Sequence, residues 1–225
     1  MRCGAVLVAA GRSERMGFDK IFAMLNGRPV LSYSLELLAE MEAIAEIVIA
    51  TSPDKFEQVR GLVDNRPNIC VCPGGDSRQA SVERGVAALS ATIDLVLIHD
   101  AARPLPTAIM LDEGIRLGGA TGAAIAAIPV SDTIKLVAAD GSVEQTPERA
   151  RLYAAQTPQV FRRDWLEASY AKLHSSDEPP LVTDEASLLE WVGYRVRIFP
   201  GDARNIKLTN PFDLTLAEAL LRATP

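Results

Sequence analysis

The sequence predicts an α/β protein with a doubly wound, mostly parallel sheet. Short continuous apolar runs recur along the chain, segments with helical spacing lie between them, and turn-forming residues mark the boundaries. A continuous apolar run is typical of a strand that is buried on both faces, as in a parallel sheet. Regular alternation of such strands with helices favours right-handed βαβ units.

The elements follow one another in a simple order. The apolar runs predict strands at residues 3–9, 44–50, 69–72, 95–98 and 123–130. The segments between them predict helices at 30–41, 55–62, 80–89 and 109–117, with turns at 51–54 and 73–76. Beyond residue 148 we expect helices at 163–173, 184–191 and 211–222 and a strand at 194–199.

Residues 132–148 interrupt this alternation. Strand-forming residues flank Asp140-Gly141, which predicts a β-hairpin around a type I′-like turn. A hairpin of this size buries little of its own surface. It either reaches over another body, which would be a substrate or a second subunit, or it is an ordinary surface hairpin. We expect one domain over residues 1–225, with residues 132–148 as a protruding β-arm.

Composition excludes several classes of protein. Of the 225 residues, 48% are hydrophobic, which is enough for a sizeable core. The 29 acidic and 23 basic residues give a net charge of -6, which argues against a nucleic-acid partner. Three cysteines fit a reducing compartment, and Cys70 and Cys72 are expected in the core. No run approaches the roughly 18 apolar residues of a membrane span, so we expect a soluble cytoplasmic protein without a membrane partner.

Residues 9–20 form a glycine-containing loop directly after the first strand. Ligands of open α/β sheets bind at the carboxyl ends of the strands, and Ala9, Ala10 and Gly11 let backbone N–H groups approach phosphate oxygens. Arg15 and Lys20 would suit the charge of a displaced phosphoryl group, although solvated surface cations are the alternative. The loop matches neither the P-loop nor the dinucleotide fingerprint.

The loop resembles the nucleotide-binding loop of sugar-phosphate nucleotidyltransferases, with Ser13 where a glycine is often seen. Further segments narrow the resemblance; they are residues 73–82, 98–104, 155–159, 182–187 and 205–209. Together they resemble the 2-C-methyl-D-erythritol 4-phosphate cytidylyltransferase family of the non-mevalonate isoprenoid pathway, over nearly the whole chain.

The resemblance implies a Rossmann-like nucleotidyltransferase fold and an enzyme that joins CTP and methylerythritol phosphate with release of pyrophosphate. It also implies Mg²⁺ as cofactor and a homodimer whose arm crosses to the neighbouring subunit. By the same resemblance, the catalytic cations are Arg15, Lys20 and Lys207, and the metal ligand is Asp100. The implied nucleotide contacts are Ala9, Ala10, Gly11, Gly75, Asp76, Ser81 and Asp100. The implied acceptor contacts are Arg103, Thr133, Lys135, Arg149, Thr157 and Asp184, with Arg151 as the alternative to Arg149.

Two other functions stay open at this point. A ribitol- or other polyol-phosphate cytidylyltransferase would share the loop and the arm, and a non-catalytic nucleotide-binding module would share the fold. The sequence also leaves open a fusion to the cyclodiphosphate synthase that some relatives carry. Of the single residues, His99 is expected to be packed and hydrogen-bonded, and Thr183 or Asp184 also suits a helix N-cap.

Overall fold

The computed structural model describes residues 1–11, 17–63 and 66–223. Its strands are β1 (Cys3–Ala9), β2 (Met24–Leu25), β3 (Arg28–Pro29), β4 (Ile44–Thr51), β5 (Ile69–Pro73), β6 (Leu95–Asp100), β7 (Ala123–Pro129), β8 (Leu136–Val137), β9 (Val143–Gln145), β10 (Tyr153–Arg162) and β11 (Arg197–Pro200). Its α-helices are α1 (Val30–Glu40), α2 (Phe56–Leu62), α3 (Arg78–Ala88), α4 (Ala108–Thr121), α5 (Arg163–His174), α6 (Glu185–Val192) and α7 (Pro211–Arg222). Within these ranges, no helix has the length and apolar character that a bilayer crossing requires.

A seven-stranded sheet forms the centre of the fold, in the order β11-β7-β10-β6-β1-β4-β5. Strand β1 runs parallel to β4 and β6, β4 to β5, and β7 to β11. Strand β10 runs antiparallel to both of its neighbours, β6 and β7. The predicted doubly wound, mostly parallel sheet is therefore confirmed, and β10 is an addition that the sequence pattern did not indicate.

Helices cover both faces of the sheet. On one face, Leu7 of β1 belongs to a buried cluster with Leu35 of α1 and Val59 of α2. On the other face, Val6 belongs to a cluster with Val86 of α3 and Leu166 of α5. Successive residues of a strand thus enter opposite cores, which is why the strands are continuous apolar runs rather than alternating ones.

Helix α3 lies close to β1 because it carries a glycine at the contact. A Cβ added to Gly85 would stand 2.5 Å from Cγ1 of Val6, well inside van der Waals contact. By contrast, a Cβ on Gly61 of α2 would meet no atom within 4 Å. The close approach brings the N-terminus of α3 to the edge of the sheet at which β1 ends.

The predicted hairpin is confirmed, although its paired segments are shorter than expected. Strands β8 and β9 pair antiparallel. The N–H of Gly141 donates to the carbonyl of Ala138, and the N–H of Ala138 donates to the carbonyl of Ser142. Of Asp140 and Gly141, only Gly141 has a positive φ, at 85°. The connection is a three-residue loop that ends in a left-handed glycine, rather than the expected type I′ turn, which needs two positive φ angles.

Two cysteines are buried and one is exposed. Cys3 and Cys72 lie in the core, but Cys70 is exposed, so the expectation that Cys70 and Cys72 are both core cysteines is wrong for Cys70. Cys70 stands near the start of β5, the edge strand of the sheet. Cys72, near the end of the same strand, shares a buried cluster with Val82 of α3.

Candidate active site

A cleft of about 850 Å³ opens at the carboxyl ends of the central strands. The segments that follow β1, β4 and β5 line it, together with Asp100 at the end of β6 and Lys207 from the chain after β11. Ligands of open α/β sheets bind at this edge. The sites predicted at the first loop and at the end of β6 therefore share one cavity.

The first loop forms one wall of the cleft. Ala9, Ala10 and Gly11 line it, and so does Lys20. The Lys20 Cε lies 3.9 Å from the point that a Cβ on Gly11 would occupy, so the lysine extends along the start of its own loop. Arg15, the other predicted catalytic cation of this loop, lies outside the residues that the structure describes.

Lys55 joins the two ends of this loop, a role that sequence reasoning missed. Its Nζ donates to the carbonyl of Gly11 at 2.9 Å and lies 2.8 Å from Oδ2 of Asp19. The lysine ends a short 3₁₀ turn, Pro53–Lys55, which follows β4. Its side chain is only 11% exposed, so the ion pair with Asp19 is shielded from solvent. The pair therefore fixes the entrance and the exit of the loop relative to β4.

The second wall is the turn after β5. Gly75, Asp76 and Ser81, for which the resemblance implies nucleotide contacts, all line the cleft. A Cβ on Gly74 would stand 2.6 Å from Cβ of Ala10, so only glycine lets the two loops meet this closely. The buried Ser81 hydroxyl accepts from the N–H of Gly75 at 3.0 Å, and this bond fixes the backbone of the turn.

Four side chains of alternating charge form a chain of contacts that starts at the floor of the cleft and ends in the buried interior behind it. The Asp100 carboxylate accepts from Arg78 Nε at 3.0 Å and from Lys207 Nζ at 2.7 Å, each on a different oxygen. Arg78 Nη1 also donates to Glu185 Oε2 at 2.7 Å. These contacts tie the start of α3, the end of β6 and the start of α6 to one another. Sequence reasoning found Asp100 and Lys207 but gave Arg78 and Glu185 no role.

The two carboxylates of this cluster differ in their electrostatics. Burial alone would raise the pKa of Asp100, but the cations of Arg78 and Lys207 outweigh it and hold this pKa well below its usual range. Burial raises the pKa of Glu185, and Arg78 offsets only part of the shift. Asp100 is therefore an anion throughout the neutral range, in contact with Lys207, which is one of the predicted catalytic cations.

The donor set fits a magnesium ion that is shared with a substrate. Mg²⁺ is commonly held by one or two carboxylates plus substrate phosphates rather than by a cage of protein ligands. Within the described ranges, no group of three or more His, Cys, Asp or Glu side chains could hold a metal on its own. Asp100 supplies the one carboxylate that such a shared site needs.

A buried chain of hydrogen bonds supports Asp100 from behind. The Asp100 N–H donates to Thr157 Oγ1 at 3.1 Å, and this hydroxyl lies 3.1 Å from His99 Nδ1. Burial lowers the pKa of His99 to about 4, so the ring is neutral at pH 7. Its Nε2 then donates to the carbonyl of Arg103 at 3.0 Å, and its Nδ1 accepts from Thr157. The expectation that His99 is a packed, hydrogen-bonded residue is confirmed.

Asp184 caps helix α6, which confirms the N-cap expectation for this residue. One carboxylate oxygen accepts from the N–H of Ser187 at 2.9 Å, and the other accepts from Gln159 Nε2 at 2.7 Å. Arg103 donates from Nη1 to the carbonyl of Asn205 at 2.6 Å. Arg103, Thr157 and Asp184 thus stand behind the cleft and are absent from its described lining.

The three acceptor residues predicted in the arm and its flank lie away from the cleft of their own chain. Lys135 Nζ donates to Thr146 Oγ1 at 2.8 Å, and Arg149 Nη1 donates to the carbonyl of Ser131 at 2.9 Å. Together with Thr133 they are absent from the described lining of their own chain's cleft. Arg151, the alternative to Arg149, stands in the same 3₁₀ turn, Arg149–Arg151.

A doubly wound sheet whose cleft joins a glycine-containing loop, lysines and the Asp100 carboxylate is typical of nucleotide-binding α/β enzymes, and the nucleotidyltransferases form one such class. Residues 3–223 match the model of the 2-C-methyl-D-erythritol 4-phosphate cytidylyltransferase family. The chain belongs to this family.

Relatives and solved structures agree with that assignment. The 2-C-methyl-D-erythritol 4-phosphate cytidylyltransferase of Dehalococcoides mccartyi is 42% identical over 225 residues, covering 98% of this chain and 96% of the relative. The protein of the same name from Caldanaerobacter subterraneus is 39% identical, covering 99% of this chain and 100% of the relative. The crystal structure of the 4-diphosphocytidyl-2C-methyl-D-erythritol synthase of Anaerococcus prevotii superposes with a TM-score of 0.88 at 30% identity, covering 98% of each chain.

Proposed function

We propose that this enzyme transfers the cytidylyl group of CTP to 2-C-methyl-D-erythritol 4-phosphate, forming 4-diphosphocytidyl-2-C-methyl-D-erythritol and pyrophosphate. One observation carries the proposal: the chain belongs to the family of that name, and its cleft brings Lys20, Lys207 and Asp100 together beside the glycine-containing loop. The three free cysteines support a reducing, cytoplasmic location.

The chemistry asks mainly for placement and for positive charge. An oxygen of the acceptor phosphate attacks the α-phosphorus of CTP, and the bond from that phosphorus to the leaving pyrophosphate breaks. The second pKa of a phosphate monoester is about 6, so the attacking oxygen needs no general base at neutral pH. Two like unit charges 4 Å apart repel by about 4 kcal/mol near a protein surface, so cations must offset this repulsion. Lys20 and Lys207, which both line the cleft, would supply this positive charge, and the resemblance adds Arg15.

The backbone and the floor of the cleft hold the nucleotide. Ala9 to Gly11 and the turn at Gly75 and Asp76 present the backbone that would contact CTP, while Ser81 fixes the turn. Asp100 would hold Mg²⁺ together with the triphosphate, and the ion would neutralise charge on the phosphates. A phosphate that draws Lys207 away still leaves Asp100 bonded to Arg78.

The acceptor half of the site is completed by a second copy of the chain. We assign Thr133 and Lys135 of the arm and Arg149 of its flank to the acceptor of the neighbouring subunit, because these residues are absent from the described lining of their own cleft. The arm also exposes the apolar side chains of Leu136, Val137 and Val143, and Tyr153 at the start of β10 is exposed as well; a homodimer would cover them. Arg103, Thr157 and Asp184 then support the acceptor side from behind Asp100.

Pyrophosphate release with CTP, Mg²⁺ and methylerythritol phosphate tests the proposed reaction. Absence of product at millimolar substrate would overturn it. Parallel reactions with ribitol 5-phosphate separate the proposal from a polyol-phosphate cytidylyltransferase, which would prefer that acceptor.

Removal of a catalytic cation tests whether the cleft performs the reaction. We expect Lys20→Ala or Lys207→Ala to lower kcat by about 100-fold with a much smaller change in the KM for CTP, because their stabilisation grows with transition-state charge. Lys172→Ala, on the outer surface of α5, is the matched control and should keep the wild-type rate. If CTP binds but neither cleft variant changes the rate, the non-catalytic binding module gains support.

A further inference from the structure

Glu185 is a charged residue that the proposed mechanism leaves without a role. It is fully buried at the first position of α6, and it is absent from the described lining of the cleft. Its side-chain partners within the described part of the chain are Arg78, whose Nη1 donates at 2.7 Å, and Tyr170, whose hydroxyl donates at 3.4 Å. A buried carboxylate is costly unless it is paired, so its place in the fold depends on Arg78.

Arg78 connects this buried carboxylate to the floor of the cleft. Its Nη1 bonds Glu185 while its Nε bonds Asp100 at 3.0 Å. A guanidinium is a rigid planar fork, so fixing one nitrogen fixes the direction of the others. A lysine in this place would offer one ammonium on a flexible stem and could not impose the same plane.

We propose that Glu185 is a positioning residue for the cytidylyl transfer, acting through the Arg78 guanidinium to orient the Asp100 carboxylate. This inference rests on the proposed function. Glu185 fixes the plane of Arg78, and Arg78 fixes one oxygen of Asp100. The other oxygen of Asp100 then faces Lys207 and the cleft. Without the charge of Glu185, Arg78 loses its buried anchor and is free to turn toward substrate phosphates.

A purely structural role for Glu185 makes a different prediction. If Glu185 served only to dock α6 on α3, its replacement would lower stability and leave the rate of the folded enzyme unchanged. If it positions Asp100, the folded variant turns over more slowly. Two measurements therefore separate the two roles. One asks whether the loss of Glu185 changes kcat more than KM, and the other asks whether its effect on kcat depends on Arg78.

The first test is Glu185→Gln, which keeps the shape and an oxygen for Arg78 but removes the charge. We expect kcat to fall by about 10-fold, as is typical when an outer-shell partner is lost, with the KM for CTP changed less than about 3-fold. Tyr170→Phe is the matched control, because it removes the other partner of Glu185 and leaves Arg78 in place; its kcat should stay at the wild-type value. A wild-type kcat in folded Glu185→Gln overturns the inference.

The second test asks whether Glu185 acts through Arg78. Arg78→Lys, at a partly exposed position, should also lower kcat by about 10-fold, and Arg78→Lys with Glu185→Gln should be no slower than Arg78→Lys alone. If the two substitutions instead lower kcat by the product of their separate factors, the inference is overturned. If Glu185→Gln does not fold, Arg78→Lys still decides, because a wild-type kcat in that variant contradicts the proposed chain of contacts.

Wild-type activity separates this inference from the proposed function, and a binding measurement checks that the variants still take up CTP. Calorimetric titration of each variant with CTP and Mg²⁺ should show affinities within about 3-fold of the wild type, since the expected loss lies in kcat. An inactive wild type would overturn the proposed function. An active wild type with an unaffected Glu185→Gln would overturn only the positioning role.

Discussion

His99 shows how a buried site residue makes stability depend on pH. Its pKa is about 4 in the folded chain against 6.5 for a free histidine, because burial disfavours the charged ring. Between these values the unfolded chain binds more protons, so the stabilising effect is complete above pH 6.5 and is lost as the pH falls toward 4. By linkage this amounts to about 3 kcal/mol of the free energy of unfolding.

We therefore expect the wild type to lose stability more steeply than His99→Gln between pH 6.5 and 4. Glutamine keeps a side-chain N–H for the carbonyl of Arg103 but does not titrate. Urea unfolding at pH 7, 6, 5 and 4 measures the difference in slope. Equal slopes in the two proteins would contradict a neutral His99 in the folded state.

Asp184 combines a helix cap with a hydrogen bond to β10. Asp184→Ala should lower the free energy of unfolding by about 1–2 kcal/mol, because it removes the N-cap of α6 and leaves the buried Gln159 amide without a partner. Asp184→Asn, which can still cap, should lose less than half as much. Thermal unfolding of both variants measures this, and similar losses in both would show that the charge rather than the cap matters.

Single residues differ in how far the sequence predicts them. Lys20 and Asp100 stand where a loop or a strand end meets the cleft, so local pattern and family resemblance both reach them. Arg78 and Glu185 are 107 positions apart, and neither has a local spacing that marks an ion pair. Only the tertiary fold brings the start of α6 to the start of α3, so the ion pair between these two residues could not be predicted.

At the scale of elements, β10 is the strand of the seven-stranded sheet that the sequence pattern did not indicate. Its buried positions include three polar residues: Thr157 bonds to Asp100, Gln159 bonds to Asp184, and Gln156 bonds to the carbonyl of Asp202. A strand of this kind lacks the apolar run that marks β1, β4 and β6. The same polar residues that hide β10 from pattern analysis are the ones that attach it to the site.

The packing of α3 on β1 gives a prediction at this scale. Gly85→Ala should lower the free energy of unfolding by about 1–2 kcal/mol, since overpacking against Val6 outweighs the gain in helix propensity. Gly61→Ala is the matched control; its added methyl meets open space and should raise stability by about 0.5 kcal/mol. Chemical unfolding measures both changes. The double variant Val6→Ala with Gly85→Ala should lose less free energy of unfolding than the sum of the two single losses, because the smaller side chain makes room for the added methyl. Strictly additive losses would argue against the contact.

For the whole molecule, the distribution of charge matters more than the total of -6. Among the residues that the structure describes, five cationic side chains line the cleft, Lys20, Lys55, Arg78, Arg84 and Lys207. Four acidic side chains accompany them, Asp19, Asp54, Asp76 and Asp100. Because Lys55 and Arg78 pair with carboxylates, the local charge is organised into fixed contacts rather than a diffuse positive field. Such a pocket suits one nucleotide and leaves the outer surface acidic.

The proposed sharing of a site between two subunits predicts complementation. A chain with Lys20→Ala and a chain with Arg149→Ala should each be nearly inactive as homodimers. A mixed dimer should recover about half of the wild-type activity per dimer, because one of its two clefts would have both residues intact. Tagged heterodimers purified by two affinity steps measure this. No recovery in verified heterodimers would place Arg149 in the cleft of its own chain.

The base of the arm has a consequence for how the family can vary. The N–H of Val130 donates to the carbonyl of Leu152 at 3.1 Å, directly beyond the pairing of β7 with β10. The chain thus leaves the sheet after Val130 and returns to it at Leu152, two residues that are hydrogen-bonded to each other. Residues 131–151 form an insertion between β7 and β10, and the pairing register of these two strands does not depend on it. Such an insertion can lengthen, shorten or be exchanged for that of another chain while the catalytic floor stays the same. Acceptor choice could in this way evolve separately from nucleotide choice.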